Sequence, residues 1–346
     1  MKTDILIIGA GPAGSTFARE CAKLDYRIML VDGQTETNAK PCGGLLSPDA
    51  QRLFAEFDHT LPGQILADPQ IFSVRVIDLE KQKDRFYRRC YYNMNRFEFD
   101  KYLLSLVPSN VEIVKGRVTE IVHNEKDAFT VKLVSNGQET QVDCTYLVGA
   151  DGASSIVRRR FFPNQIIKHY VAIQEWYRIN EDANPFYSCI FDPETSDSCS
   201  WTLFKNGYLI YGGAFESRKC RESFEKQKKK LESYLNIEFG KPVKTEACMV
   251  NSPRHYKDFK TGKDNIFLLG EAAGFISSSS FEGISGAIKS GLLLSKAFKT
   301  DHPSKTYPKL CRKLRFKFWL KTKKRIVTHT PWIRHLIMKS GVSSIK

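Results

Sequence analysis

Three apolar runs in this 346-residue chain end abruptly at glycine, and each predicts a buried parallel strand. Asp4–Ile8 runs into Gly9, Tyr146–Val148 into Gly149, and Ile266–Leu269 into Gly270. After the first run, Ser15–Lys23 takes up helical spacing, and Arg27–Val31 is a second strand that stops at Asp32. Polar residues 33–47 predict a loop, and Ser47 then stands to cap a short helix through Phe57. Alternation over Ile71–Leu79 and Arg85–Tyr92 predicts two strands joined by a charged turn; Asn95 caps the helix that follows. Val111–Val114, Arg117–Val122, Phe129–Val134 and Glu139–Val142 predict a β-meander. Beyond Arg160 the pattern changes. Tyr170–Ile179, Pro185–Phe191, Ser200–Phe204 and Tyr208–Phe215 are strand-like and rich in aromatics, whereas Glu222–Leu235 and Phe281–Phe298 are helical. Pro303 and Pro308 punctuate the start of the last segment.

The glycine segments give these strands a use. In Gly9-Ala10-Gly11-Pro12-Ala13-Gly14, Gly9 permits a tight turn, Gly11 lets a pyrophosphate approach the backbone, and Gly14 lets the helix pack on the strand. The helix aims its free N–H groups at the phosphates, and Asp32, 18 residues after Gly14, is placed to accept from a ribose hydroxyl. Alone, this motif says dinucleotide. Together with Gly149-Ala150-Asp151-Gly152 and Gly270-Glu271-Ala272-Ala273-Gly274, it says FAD, stretched between the start and the end of one domain. The expected class is α/β. A Rossmann-like FAD-binding domain takes residues 1–160 and 261–300, a β-rich substrate-covering domain is inserted at 161–260, and a basic helical tail occupies 301–346.

Composition narrows the setting. Hydrophobic residues make up 42% and charged residues 26%, the balance of a globular chain. Nine scattered cysteines form no CxxC pair, which argues against a disulfide framework or zinc site and for a reducing compartment. The seven histidines show no ligand spacing, so no metal is expected. The first strand begins at residue 4, leaving no room for a signal peptide, and no apolar run nears the ~18 residues of a membrane span. A cytoplasmic protein is expected. The net charge of +15 sits mostly in the tail, where thirteen Lys or Arg face one Asp from residue 301 onward. Leu310–Val327 interleaves lysines with Phe316, Phe318, Trp319 and Leu320. Such a helix either lies on an anionic membrane, at its inner face, or packs its apolar side on the cofactor domain. Nothing else resembles a nucleic-acid-binding module.

The three segments resemble the FAD motifs of the para-hydroxybenzoate hydroxylase fold group. Within it, Lys40-Pro41-Cys42-Gly43-Gly44-Leu45, Arg96-x-x-Phe99-Asp100-x-x-Leu103 and Glu282-Gly283-Ile284 are similar to the geranylgeranyl reductase family, over about residues 1–300. The resemblance implies non-covalent FAD. Gly9, Gly11, Pro12, Ala13 and Gly14 would hold the pyrophosphate, and Asp32 the adenosine ribose. Arg96 would sit by the phosphates, Val118 would meet the adenine, and Asp151 and Gly270 complete the second and third motifs. Glu271 replaces the family's Asp on sugar hydroxyls. Cys42, Gly43, Gly44 and Leu45 would approach the flavin, and Gly283 and Ile284 would offer N–H groups to its electron-rich end. The chain departs from the family at Ser277-Ser278-Ser279-Ser280, where Pro is frequent, and at Phe281, where Gly is common. Of the family's Tyr-x-Trp-x-Phe-Pro pattern only Trp201 remains.

The resemblance implies reduction of carbon–carbon double bonds in a hydrophobic, isoprenoid-like or lipid substrate, with electrons from NAD(P)H or a ferredoxin-like donor. A flavin monooxygenase that hydroxylates, or a membrane-tethered flavoprotein that mainly binds, are the rivals. A halogenase is disfavoured because the Trp-x-Trp pair of that group is absent. The catalytic candidates are Cys42, which is either acid–base or merely a small turn residue at the cofactor, and Trp201, which is either substrate wall or sheet core.

Overall fold

The computed structural model describes residues 1–34, 40–56, 60–124, 128–178, 184–342 and 344. The predicted ends at Phe57 and Ile179 fall outside them. Two eight-stranded sheets face one another across a long cavity. The first is parallel at its centre, with β1 (Lys2–Ile8) between β2 (Ile28–Asp32) and β9 (Gln138–Gly149). Beyond β9 come β16 (Ile266–Leu268) and β15 (Gly262–Lys263). Beyond β2 comes β6 (Val111–Lys115), which pairs parallel to it and does not join the predicted meander. The meander is β7 (Arg117–His123), β8 (Phe129–Ser135) and the first half of β9. β9 is one strand where two runs were predicted, and it passes from antiparallel pairing with β8 to parallel pairing with β1. α1 (Pro12–Cys21) and α6 (Ile284–Ala297) cross together on this sheet, where Gly291 lets the backbones close up: a Cβ there would lie 2.8 Å from the Ala13 carbonyl oxygen.

The second sheet runs β14 (Lys244–Asn251), β10 (His169–Arg178), β13 (Tyr208–Phe215), β12 (Cys199–Lys205), β11 (Phe186–Phe191), β4 (Ile71–Asp78), β5 (Lys83–Asn93) and β3 (Leu45–Leu46). The expected division gave 71–92 to the cofactor domain. The ladder instead carries β4 alongside β11 in parallel register, Phe186 opposite Ser73 through Phe191 opposite Asp78, so the covering sheet draws strands from both sides of the second motif. Its outer face packs Tyr177, Tyr211 and Phe215 against α5 (Cys220–Leu235) and against Phe239 of the segment after it. α2 (Pro48–Ala55) starts after Ser47, whose hydroxyl makes no capping bond, whereas Asn95 caps α3 (Arg96–Ser105) by accepting from Phe97 N and Glu98 N at 3.0 and 3.3 Å.

The tail is α7 (Pro303–Leu310), α8 (Arg312–His329) and α9 (Pro331–Ser340). It is integral to the fold. Leu314 and Phe318 enter the core of the first sheet, so Phe318 is no lipid anchor. Lys317 and Lys321 both reach Asp49 at 3.0 Å. Arg325 and Arg334 pair with Asp197 and Asp78 of the second sheet's side at 3.1 and 2.9 Å. The tail therefore straps one layer to the other. None of the described helices is long and apolar enough to cross a membrane.

Candidate active site

The cavity between the sheets has a volume of about 1640 Å³, well beyond the usual range for one drug-sized ligand. All of the expected cofactor residues except Gly14 line it. At its centre Gly9 has φ +103°, and Gly14 lies so near that a Cβ on it would stand 1.9 Å from the Gly9 carbonyl oxygen. A Cβ on Gly11, by contrast, would meet nothing within 4 Å: it would project into the space a pyrophosphate needs. α1 starts at Pro12 with Gly11 as its N-cap, so its unsatisfied N–H groups open here.

Asp32 closes one end. It is 4% exposed; Oδ1 accepts from Gln34 N at 3.0 Å, and Oδ2 pairs with Lys115. Val118 lines the same end. Arg96 lies along the wall with Nε 2.9 Å from Asp100 Oδ1; burial opposes its charge, but Asp100 and the Cys42 thiol raise its pKa further. Asp151 gives Oδ2 to Ile156 N at 2.7 Å, while Oδ1 is buried without a partner, an acceptor free for a ligand. Burial pushes the Asp151 carboxyl up. Glu271 accepts from Asn251 N at 2.9 Å and pairs with Lys40, so the loop at 40–45 is pinned to the third motif. Burial opposes the Lys40 charge, and Glu271 more than compensates.

Gly283 is the N-cap of α6, so Ile284 and its neighbours present free N–H groups to the cavity. Just before them, Phe281 adopts φ +53°. This is the position where the reductase family commonly has Gly, and the left-handed backbone explains that preference. It also ends the predicted helix, which begins at Ile284 and not at Phe281.

Four sets of contacts were not read from the sequence. Lys205 is 4% exposed and donates to Gly43 O and Met94 O at 2.8 and 2.6 Å, holding the 40–45 loop to the covering sheet; burial lowers its pKa to about 8. Arg158 is 6% exposed and donates to the carbonyls of Ala272, Asp258 and Gln165, tying the second motif to the third. Glu282 accepts from Tyr91 Oη at 2.8 Å and Arg89 at 3.0 Å. Glu246 accepts from Gln174 at 2.7 Å and Trp176 at 2.8 Å. Each joins residues distant in sequence, and no local spacing marks them.

Cys42 and Trp201 both line the cavity, and the Cβ position of Gly43, next to Cys42, would be 3.9 Å from the indole. Cys42 Sγ accepts from Gly44 N at 3.4 Å. Among the described residues no group of three or more His, Cys, Asp or Glu could hold a metal.

A glycine turn, two helix N-termini, a terminal acid and an orphaned acceptor in one groove fit a flavin dinucleotide. Residues 2–299 match the family described as FAD binding domain. The chain belongs to that family. FAD, held non-covalently, is its cofactor, and the chain is by family an FAD-dependent oxidoreductase. FAD supplies two-electron chemistry; the protein supplies position and electrostatics. Protein CbrA of Escherichia coli O9:H4 (strain HS) is 44% identical over 99% of this chain and 94% of its own length. A geranylgeranyl bacteriochlorophyll reductase-like protein of Thermoplasma acidophilum superposes with a TM-score of 0.78 at 18% identity, over 94% of this chain and 87% of the other. PqsL of Pseudomonas aeruginosa, in complex with 2-aminobenzoylacetate, gives 0.73 at 15% identity over 98% and 99%. At these identities the two structures show a shared fold.

Proposed function

We propose that this FAD enzyme reduces carbon–carbon double bonds in a hydrophobic, isoprenoid-like substrate. The observation that carries the reading is the chamber continuous with the FAD groove, walled by Ala172, Trp201, Leu203 and Val250 of the covering sheet and lined also by the Pro41–Leu45 loop. The overall likeness to the reductase-like protein agrees with it. Cys42 here is a contact residue at the flavin, and the electrons come from NAD(P)H or a ferredoxin-like donor. Hydroxylation is the second reading, favoured by the overlap with PqsL along nearly all of both chains. The test is aerobic reoxidation of the chemically reduced enzyme with and without a polyprenyl substrate. Saturated product with slow oxygen uptake supports the reductase; rapid uptake yielding an oxygenated product supports the hydroxylase.

The tail's outer side leaves Phe316, Leu320, Ile326, Trp332 and Leu336 between 48% and 65% exposed beside exposed Lys313, Lys323 and Lys324. An enzyme whose substrate dissolves in lipid gains from such a surface, and we read it as contacting anionic membrane. Sedimentation with anionic but not neutral vesicles, reversed by salt, supports this; equal sedimentation with both removes it.

A further inference from the structure

Resting on the reductase reading, we infer that the covering sheet carries a polar subsite built by Gln174 and Trp201. It takes one uncharged group of the substrate that both donates and accepts a hydrogen bond, an alcohol hydroxyl being the smallest.

The subsite follows from register. Glu246 of β14 lies opposite Gln174 of β10, Gln174 opposite Gly212 of β13, and Gly212 opposite Trp201 of β12. Residues directly opposite on a ladder share a face, and Glu246, Gln174 and Trp201 line the cavity. Gly212 makes the row work. A Cβ there would stand 2.6 Å from the indole, so the ring lies across β13 toward Gln174. The Gln174 amide has one orientation available. Its Nε2 donates to Glu246 Oε2 at 2.7 Å, and a carboxylate only accepts. Oε1 must then turn away, and it is buried without a partner on a side chain 2% exposed. Trp201 Nε1 is buried without a partner as well. A donor and an acceptor on neighbouring positions, both shut from solvent and both costly to leave unpaired, mark a ligand group that answers both.

A hydroxyl accepts from Trp201 Nε1 and donates to Gln174 Oε1. A hydrocarbon answers neither. A phosphate offers no donor to Gln174 when fully ionised and meets the Glu246 carboxylate behind it. The ammonium nearest to that carboxylate, on Lys244, is already paired with it at 2.7 Å. Burial opposes the Glu246 charge, but Lys244, Gln174 and Trp176 hold its pKa below the ordinary value, so it stays anionic.

The experiment uses the oxidised holoenzyme and three probes on one tetraprenyl chain: geranylgeraniol, the hydrocarbon lacking the hydroxyl, and the diphosphate. Binding is read from the change in flavin absorbance. Geranylgeraniol should bind about tenfold more tightly than either of the others. Trp201→Phe, which keeps a ring but loses the N–H, should reduce that preference to about twofold with flavin content unchanged, and Gln174→Met should do the same from the acceptor side. Equal binding of all three probes leaves the isoprenoid reading standing and overturns the subsite. Tighter binding of the diphosphate also overturns it. Loss of FAD from both variants assigns these atoms to the cofactor and overturns it too. Binding of no probe withdraws the isoprenoid reading together with the subsite.

Discussion

The two walls of the cavity hold their chemistry in different ways. The first sheet faces the cavity with turns and helix ends, where the groups on offer are backbone N–H and the absence of side chains at Gly9, Gly11 and Gly14. The second sheet faces the cavity with a row of side chains, Glu246, Gln174, Trp201 and Cys189, contributed by four strands. A wall made of backbone tolerates little change at a few positions. A wall made of side chains can be re-specified one residue at a time.

The largest effect that would sharpen this contrast comes from placing the same methyl on each wall. Gly14→Ala puts a Cβ 1.9 Å from a carbonyl oxygen that cannot move without the motif, and it should abolish FAD binding. Gly212→Ala puts its Cβ 2.6 Å from the Trp201 ring, a side chain that can shift, and it should retain FAD while weakening substrate binding. Flavin content of the two purified proteins checks this, and equal loss would break the contrast.

Next comes the strap. Arg334 and Asp78 are 4% and 1% exposed, and removing one partner strands a buried charge. Arg334→Met should destabilise the protein by about 3–5 kcal/mol in denaturant unfolding. Deleting residues 309–346 should likewise cost the fold, since Leu314 and Phe318 belong to the core; the placement of all the motifs before residue 300 does not make the tail dispensable.

The first wall was legible because its constraints are local. A strand, a glycine turn and a helix fit within some twenty residues, and each glycine has a steric reason. The second wall was not legible. Gln174, Gly212 and Trp201 become neighbours only through register, and β4 and β5 join a sheet whose other long strands begin some ninety residues later. Alternation predicted those strands one by one but carries no record of which strand pairs with which. Phe281 lies between the two cases. Its departure from the family's Gly was visible, and the φ of +53° that gives it meaning was not.

A smaller effect probes where the walls touch. Glu271 engages Lys40 and Asn251 N besides facing the cofactor groove. Glu271→Ala should weaken FAD by about ten- to hundredfold in titrations of the apoprotein, the size expected for losing roughly 1.5–3 kcal/mol of charged hydrogen bonding. Glu271→Asp should recover most of the loss. An Asp variant as weak as Ala would mean that the reach to Lys40, and not the acid itself, holds the site.

The smallest is the pH response of Lys205. Its pKa is about 8 in the fold against an ordinary 10.5, so between those values the unfolded chain binds a proton that the folded one has released. Stability attributable to Lys205 therefore rises with pH across this window and is flat below it. The unfolding free energy of the native protein should gain on that of Lys205→Met by about 1.2 kcal/mol between pH 8.5 and 9.5. A gap independent of pH would show that the folded amine keeps its proton across this range, as the unfolded one does.

The strap also bears on how the molecule is made. During synthesis every cofactor motif is made before α8, so the residues of the FAD groove are all present in the chain before the helix that completes the core beneath them. The covering sheet is also complete by Asn251, but the contacts of Phe318, Arg325 and Arg334 that lock the two layers arrive only with the last thirty or so residues. Completion of the cofactor motifs and locking of the layers are thus separated in time by the order of the sequence, and a nascent chain halted near residue 310 would carry every motif but lack the Leu314 and Phe318 contacts that finish the core.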